Sequence, residues 1–206
     1  MSARLKDNDQ TLWARFLNGN DQVLSLIYLR HVNALLDYGC KITSNRDLVK
    51  DAIQDIFCTI LRNRQTLSAT DNIRLYLFKA LKRKLIREIQ KSHRTQQVEG
   101  EPIVGFNISF LYSFDHTDFE LSPTQKQELV DAIEALTDRQ KEAIYLRFTR
   151  GLDYREIAVI LNLNYQSARA LIHRAISKLR DILADKAELF SQVLWVLFQS
   201  HRKPVF

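Results

Sequence analysis

The chain has 206 residues, 46% of them hydrophobic and 26% charged, and a formal net charge of +6. That length holds one or two domains with real cores, and only 5 Gly and 3 Pro argue against a sheet-and-turn architecture and in favour of helices. The positive balance, with a pI near 9.4, suggests a polyanionic partner. No apolar run reaches the roughly 20 residues needed to span a bilayer, and the first ten residues, MSARLKDNDQ, lack the apolar core of a secretory signal. Cys40 and Cys58 fall in helix-like patterns without a CxxC or Cys/His cluster, so neither a disulfide framework nor a metal site is expected, and a reducing cytoplasm is the simplest compartment.

Residues 12–42 read as two helices. Leu12, Trp13, Phe16 and Leu17 stripe the first, which should end at Asn18, Gly19 and Asn20. Val23, Leu24, Ile27, Tyr28, His31, Leu35 and Leu36 stripe the second, with His31 a core-edge histidine rather than a ligand. A third helix spans residues 47–64. Leu48, Ala52, Ile53, Ile56, Phe57, Ile60 and Leu61 face the core, while Asp51, Gln54 and Asp55 make a polar, acidic patch opposite. Taken alone, that patch is a solvated face, since nothing nearby supplies a nucleophile or partner base.

After a polar loop, residues 73–94 form a basic helix. Arg74, Lys79, Lys82, Arg83, Lys84, Arg87, Lys91 and Arg94 stand against the one acid Glu88, while Ile73, Leu77, Ala80, Leu81, Leu85 and Ile89 are buried. Tyr76 and Phe78 lie among the cations, where aromatics can stack on bases; the plainer reading puts both in the core. Residues 95–125 hold no Lys or Arg but carry Glu99, Glu101, Asp115, Asp118 and Glu120. With Phe106, Ile108, Phe110, Tyr112, Phe114 and Phe119 this linker is too apolar to be a solvated tether.

Helices are predicted over residues 127–136 and, N-capped by Thr137, from there to Arg150 with Gly151 as the C-cap. Residues 153–183 then read as a helix-turn-helix. Ala158 is small where two helices cross, Asn162 suits a left-handed turn, and Asn164 suits an N-cap. The outward face of the second helix offers Gln166, Arg169, His173 and Arg174, types that read bases and grip phosphates. A final segment striped by Phe190, Val193, Leu194, Leu197 and Phe198 predicts an apolar helix that wants a covering surface. No metal-ligand spacing, nucleophile elbow or phosphate loop appears, so no enzymatic activity, cofactor or small-molecule substrate is expected.

Taken end to end, the sequence resembles a sigma-70-family factor of the extracytoplasmic-function (ECF) type, over roughly residues 12–183. Asp51, Gln54, Asp55 and Phe57 match the family's D-x-x-Q-[DE]-x-F pattern. Tyr76, Leu77, Phe78 and Lys82 match Y-L-[FY]-x-x-x-[RK]-N, with Arg83 in place of its Asn. Glu156, Ile157, Ala158, Leu161, Ser167, Arg169, Arg174 and Ala175 match the helix-turn-helix motif, with Asn162 for Gly, Asn164 for Ser/Thr and Ala168 for Val. Each motif alone is weak; three in order are strong.

The resemblance implies an all-α protein of two helical domains. A region 2-like domain would occupy residues 1–94, an acidic, apolar-rich linker 95–122, a region 4-like helix-turn-helix domain 123–184 and an apolar extension 185–206. It implies binding to core RNA polymerase through Asp51, Gln54, Asp55 and Phe57. The −10 element would meet Asn72, Arg74, Tyr76, Lys79, Lys82, Arg83 and Arg87, with the loop over residues 66–72 holding a base turned out of the stack. The −35 element would meet Arg155, Gln166, Ser167, Arg169, His173 and Arg174. Promoter DNA, core polymerase and an anti-sigma factor are the implied partners, and the linker acids would mimic nucleic acid in the channel that later carries RNA. The competing reading is a helix-turn-helix regulator that does not associate with polymerase.

Overall fold

The structure, a computed structural model, describes residues 8–95, 105–107 and 122–184. Its α-helices are α1 (Asp9–Leu17), α2 (Asp21–Ile42), α3 (Arg46–Arg62), α4 (Ile73–Thr95), α5 (Pro123–Glu134), α6 (Asp138–Ile144), α7 (Tyr154–Leu161) and α8 (Tyr165–Ile182). A 3-10 turn follows α3 and a π-turn follows α6, and no strand occurs among the described residues. The class is all-α. The chain divides into two compact units, Met1–Val104 and Gly105–Phe206. The linker acids, every linker aromatic except Phe106, and the apolar stripe from Phe190 to Phe198 lie outside the described residues.

In the first unit asparagines set the helix boundaries. Asn8 accepts from the Gln10 N–H at 2.8 Å, Asn45 from Leu48 at 3.0 Å and Asn72 from Leu75 at 2.8 Å. Each satisfies an orphan amide at a helix start, worth about 1 kcal/mol. Gly19, with φ 99°, supplies the left-handed step between α1 and α2 that a side chain would resist. α2, α3 and α4 pack on one another, and α1 closes one end against α2 and α4. Trp13, Phe16, Ile27, Leu35, Tyr38, Ile60, Leu77, Phe78 and Leu85 are fully buried between them.

Two details of this core differ from the periodic reading. α3 turns Val49 inward, leaving Leu48 half-buried, and Leu61 is exposed. The apolar arc of that helix is wider than the space between its neighbours, so its edge residues fall outside. Phe78 is buried and stacked on Tyr38 at 4.9 Å, and is therefore core rather than a base-stacking surface.

The second unit is built on three capping boxes: Ser122 with Gln125, Thr137 with Gln140 and Asp153 with Glu156. Because Ser122 caps there, α5 starts at Pro123, four residues before the start expected from periodicity. Beyond Ile144 the predicted α-helix opens into the π-turn Tyr145–Thr149. Residues 142–146 are all buried, and no 3.6-residue turn points five successive side chains to one side. Arg150 N donates to Tyr145 O at 3.1 Å, and Gly151 then takes φ 64°. Phe106, one of the linker aromatics, is buried against Tyr145 with ring centroids 5.5 Å apart.

Gly39 lies inside α2, where helix propensity alone would favour Ala. A Cβ there would overlap Val49 Cγ1 and crowd its Cγ2. Gly39→Ala should therefore destabilise the protein by about 1–3 kcal/mol, measured by urea unfolding followed by circular dichroism, whereas relief of backbone entropy alone would stabilise it.

Candidate nucleic-acid interface

The helix-turn-helix is positioned by three polar residues. Asp153 accepts from the Glu156 N–H at 2.8 Å and starts α7. Asn162 ends it at φ 53°, ψ 53°, and its N–H returns to the Ala158 carbonyl. Asn164 then accepts from the Ser167 N–H at 2.7 Å and starts α8. Ile157, Ala158, Ile160 and Leu161 on α7 meet Ala168, Ile172, Ala175 and Leu179 on α8 in a shared core. With that face buried, Gln166, Arg169, His173 and Arg174 are left exposed on α8, and Arg155 is exposed on α7. Ser167 is half-buried, and its backbone serves the cap.

Two tyrosines join this surface that residue-by-residue reading had not singled out. Tyr165 opens α8 and is 43% exposed, one turn before Arg169. Its ring meets Tyr154 edge-on at 6.2 Å, and the Arg147 guanidinium lies 5.0 Å from the Tyr154 centroid. The i, i+4 spacing of Tyr165, Arg169 and His173 was the signal available in the sequence.

In the first unit the loop before α4 is anchored at both ends. Trp13 Nε1 donates to the Ser68 carbonyl at 3.0 Å, and Ile73 N donates to Asp9 at 2.9 Å. The side chains of Ser68 and Ala69 are exposed along this stretch. Asn72 closes the loop as the cap of α4, so its amide oxygen has a structural partner. Tyr76 is half-buried 5.4 Å from Trp13, and burial raises its phenol pKa. Arg83 and Arg87 are exposed on α4; Arg74, Lys79 and Lys82 are half-buried.

Asp51, Gln54 and Asp55 are exposed together on α3. Phe57 is not part of that surface: it is 7% exposed and packs edge-on against Tyr28 at 5.1 Å. Lys84 bridges the two helices, 2.8 Å from Asp55 and 3.3 Å from Glu88. The bond to Asp55 is the larger reason its ammonium pKa is raised. No group of three potential metal-ligating side chains occurs among the described residues, and none of their helices is long and apolar enough to cross a membrane.

Residues 126–179 match the family model for sigma-70, region 4. The RNA polymerase sigma factor YlaC of Bacillus subtilis (strain 168) is 24% identical over 163 residues, 79% of this chain and 92% of that protein. The RNA polymerase sigma factor CarQ of Myxococcus xanthus is 20% identical over 171 residues, covering 83% and 95%. The region 4 match and the two relatives together support an RNA polymerase sigma factor of the sigma-70, ECF type. As a sigma factor it directs promoter-specific transcription initiation by RNA polymerase. A regulator that shares only the helix-turn-helix is not favoured, because both relatives align well beyond it. Among solved structures the fold matches CnrH, determined in complex with the cytosolic domain of CnrY, with TM-score 0.57 and 19% identity over 87% of this chain and 99% of that one. It also matches the sigma factor RpoE from Bartonella quintana, determined with the anti-sigma factor NepR, with TM-score 0.54 and 20% identity over 79% and 97%.

In the first unit α2 buries His31. It is 7% exposed, and its Nε2 has no hydrogen-bond partner among the described residues. Burial lowers its pKa from 6.5 to about 4, with Asp9 opposing and Arg30 and Arg74 reinforcing the shift. A pKa lower in the folded state means that the unfolded chain takes up the proton first. Stability is therefore full above pH 6.5 and falls as the pH drops towards 4. The loss should be about 3 kcal/mol at most, and His31→Phe should flatten that part of the pH–stability curve from urea titrations.

Proposed function

We propose that this sigma factor divides its work between its two units, the first binding polymerase and the −10 element and the second reading the −35 element. Residues 1–94 and 123–184 are the corresponding domains, joined by the 95–122 linker and followed by the 185–206 extension. The observation that carries the second half is the single exposed face of α8. Gln166, Arg169 and His173 are the base readers, because Arg and Gln offer paired donors matched to guanine and adenine edges in the major groove. Arg155 and Arg174 neutralise phosphates, and Ser167 lies at the helix start near the backbone.

In the first unit the charges are sorted by helix. Asp51, Gln54 and Asp55 form the face for core polymerase, with Phe57 supporting it from beneath. Arg83 and Arg87, flanked by Arg74, Lys79 and Lys82, take the phosphates of the −10 strand. The exposed part of the loop at residues 66–72 receives an unstacked base, with Asn72 and Tyr76 holding the loop's end and floor. Opening of the strands then needs no bond chemistry: each base held out of the duplex lowers the free energy of the open form. This work takes place in the cytoplasm. An anti-sigma factor is the regulatory partner, as NepR is for RpoE of Bartonella quintana.

Two substitutions test the division. Asp51→Arg should weaken binding to core polymerase at least about tenfold, since a buried interfacial charge reversal costs several kcal/mol, while the protein keeps its helical spectrum. Retained binding would remove α3 from the polymerase face. Arg169→Ala should cost about 1–3 kcal/mol in promoter binding and relax preference at one position of the upstream element. Run-off transcription on a set of single-base promoter variants reads both effects.

A further inference from the structure

The −35 reading above leaves Tyr165 without a role, although a 43%-exposed aromatic at the head of the recognition helix is held with unusual care. Its ring abuts Tyr154 at an interplanar angle of 84°. Tyr154 is in turn faced by Arg147, whose guanidinium also donates to the Leu152 carbonyl at 3.0 Å. Three side chains from the π-turn, the start of α7 and the start of α8 thus form a fixed ladder, with Tyr165 as its exposed end. A tyrosine has only two side-chain torsions, so a ring braced in this way makes a contact at little entropic cost.

The location says which part of DNA it meets. In a helix-turn-helix the first helix crosses the sugar–phosphate backbone while the second enters the groove. Tyr165 touches Tyr154, the first residue of α7, beside the exposed Arg155. It therefore stands on the backbone side of the row that continues into the groove with Arg169 and His173. The geometry points to Tyr165 as a phosphate clamp, its phenol O–H donating to a backbone oxygen at the edge of the upstream element. The clamp fixes the register of α8, and Tyr154 is the positioning residue that aims it. The inference rests on the DNA-reading role of α8.

A neutral donor leaves a signature distinct from that of a cation. It releases no counterion, so its loss lowers affinity without changing the salt dependence, whereas loss of Arg155 reduces the salt slope by about one phosphate. The test uses the full-length protein assembled with core polymerase, on a promoter duplex recovered by run-off transcription and on single-base variants of its upstream element. Tyr165→Phe is expected to weaken binding about five- to tenfold, equally on every variant and with an unchanged salt slope. A methylphosphonate at the contacted phosphate should produce the same loss in the unsubstituted protein and no further loss in Tyr165→Phe. Unchanged affinity in Tyr165→Phe, alongside a clear loss in Arg169→Ala, overturns the clamp alone. A loss confined to certain base pairs makes Tyr165 a base reader and also overturns it. If Arg169→Ala too binds normally, the DNA-reading role of α8 falls and the clamp with it.

Discussion

The left-handed turn at Asn162 is the constraint on which the second unit depends. α7 has only eight residues, too few to persist as a helix without packing. It is held by its Asp153–Glu156 capping box at one end and by the reversal at Asn162, φ 53°, at the other. That reversal fixes the angle at which α8 leaves, and so decides which of its residues are buried. Each residue advances a helix by about 100°. A slip of one position would carry Arg169 towards the core and bring Ala168 or Ala170 out in its place. The exposed donors of the recognition face exist as a face because one asparagine accepts an unfavourable backbone conformation and a second, Asn164, caps the helix that follows.

The first unit separates its charges by a comparable economy of means. α3 presents carboxylates and α4 presents cations, and Lys84 sits where the two meet, paired with both Asp55 and Glu88. Solvent-screened pairs of this kind contribute little to stability, but they mark the border between the acidic face of α3 and the basic face of α4. Asp9 holds the start of α4 through the Ile73 amide, while Trp13 holds the loop through Ser68. The loop proposed to receive a base is therefore short, exposed and tied at both ends to the α1 side of the core. His31, buried on α2, favours its neutral form because desolvation outweighs the attraction of Asp9.

Much of this was legible from local pattern. The helix starts at Thr137 and Asn164 follow from side-chain oxygens that satisfy nearby amides, a matter of three or four residues. The exposed face of α8 followed from apolar spacing. Less legible were the residues whose place depends on distant neighbours. Leu48 and Leu61 lie on the apolar stripe of α3, yet Val49 is buried there while Leu48 is only half-buried and Leu61 is exposed. The π-turn after Ile144 was hidden because a run of buried residues looks helical until the packing on both sides is known. Tyr165 gained its interest only from Tyr154, which lies on the preceding helix.

The sequence by itself therefore determined the helical class, the turn chemistry and the polar types on each helix, because these arise from interactions spanning a turn or two of chain. Tertiary structure alone decided which residues of an apolar stripe fall outside the core, where α6 must widen, and which loop atoms are tied down. Those outcomes depend on the shape left between packed helices, and no local pattern specifies that shape. The helix-turn-helix was readable from its own residues; the brace that aims its leading tyrosine was not.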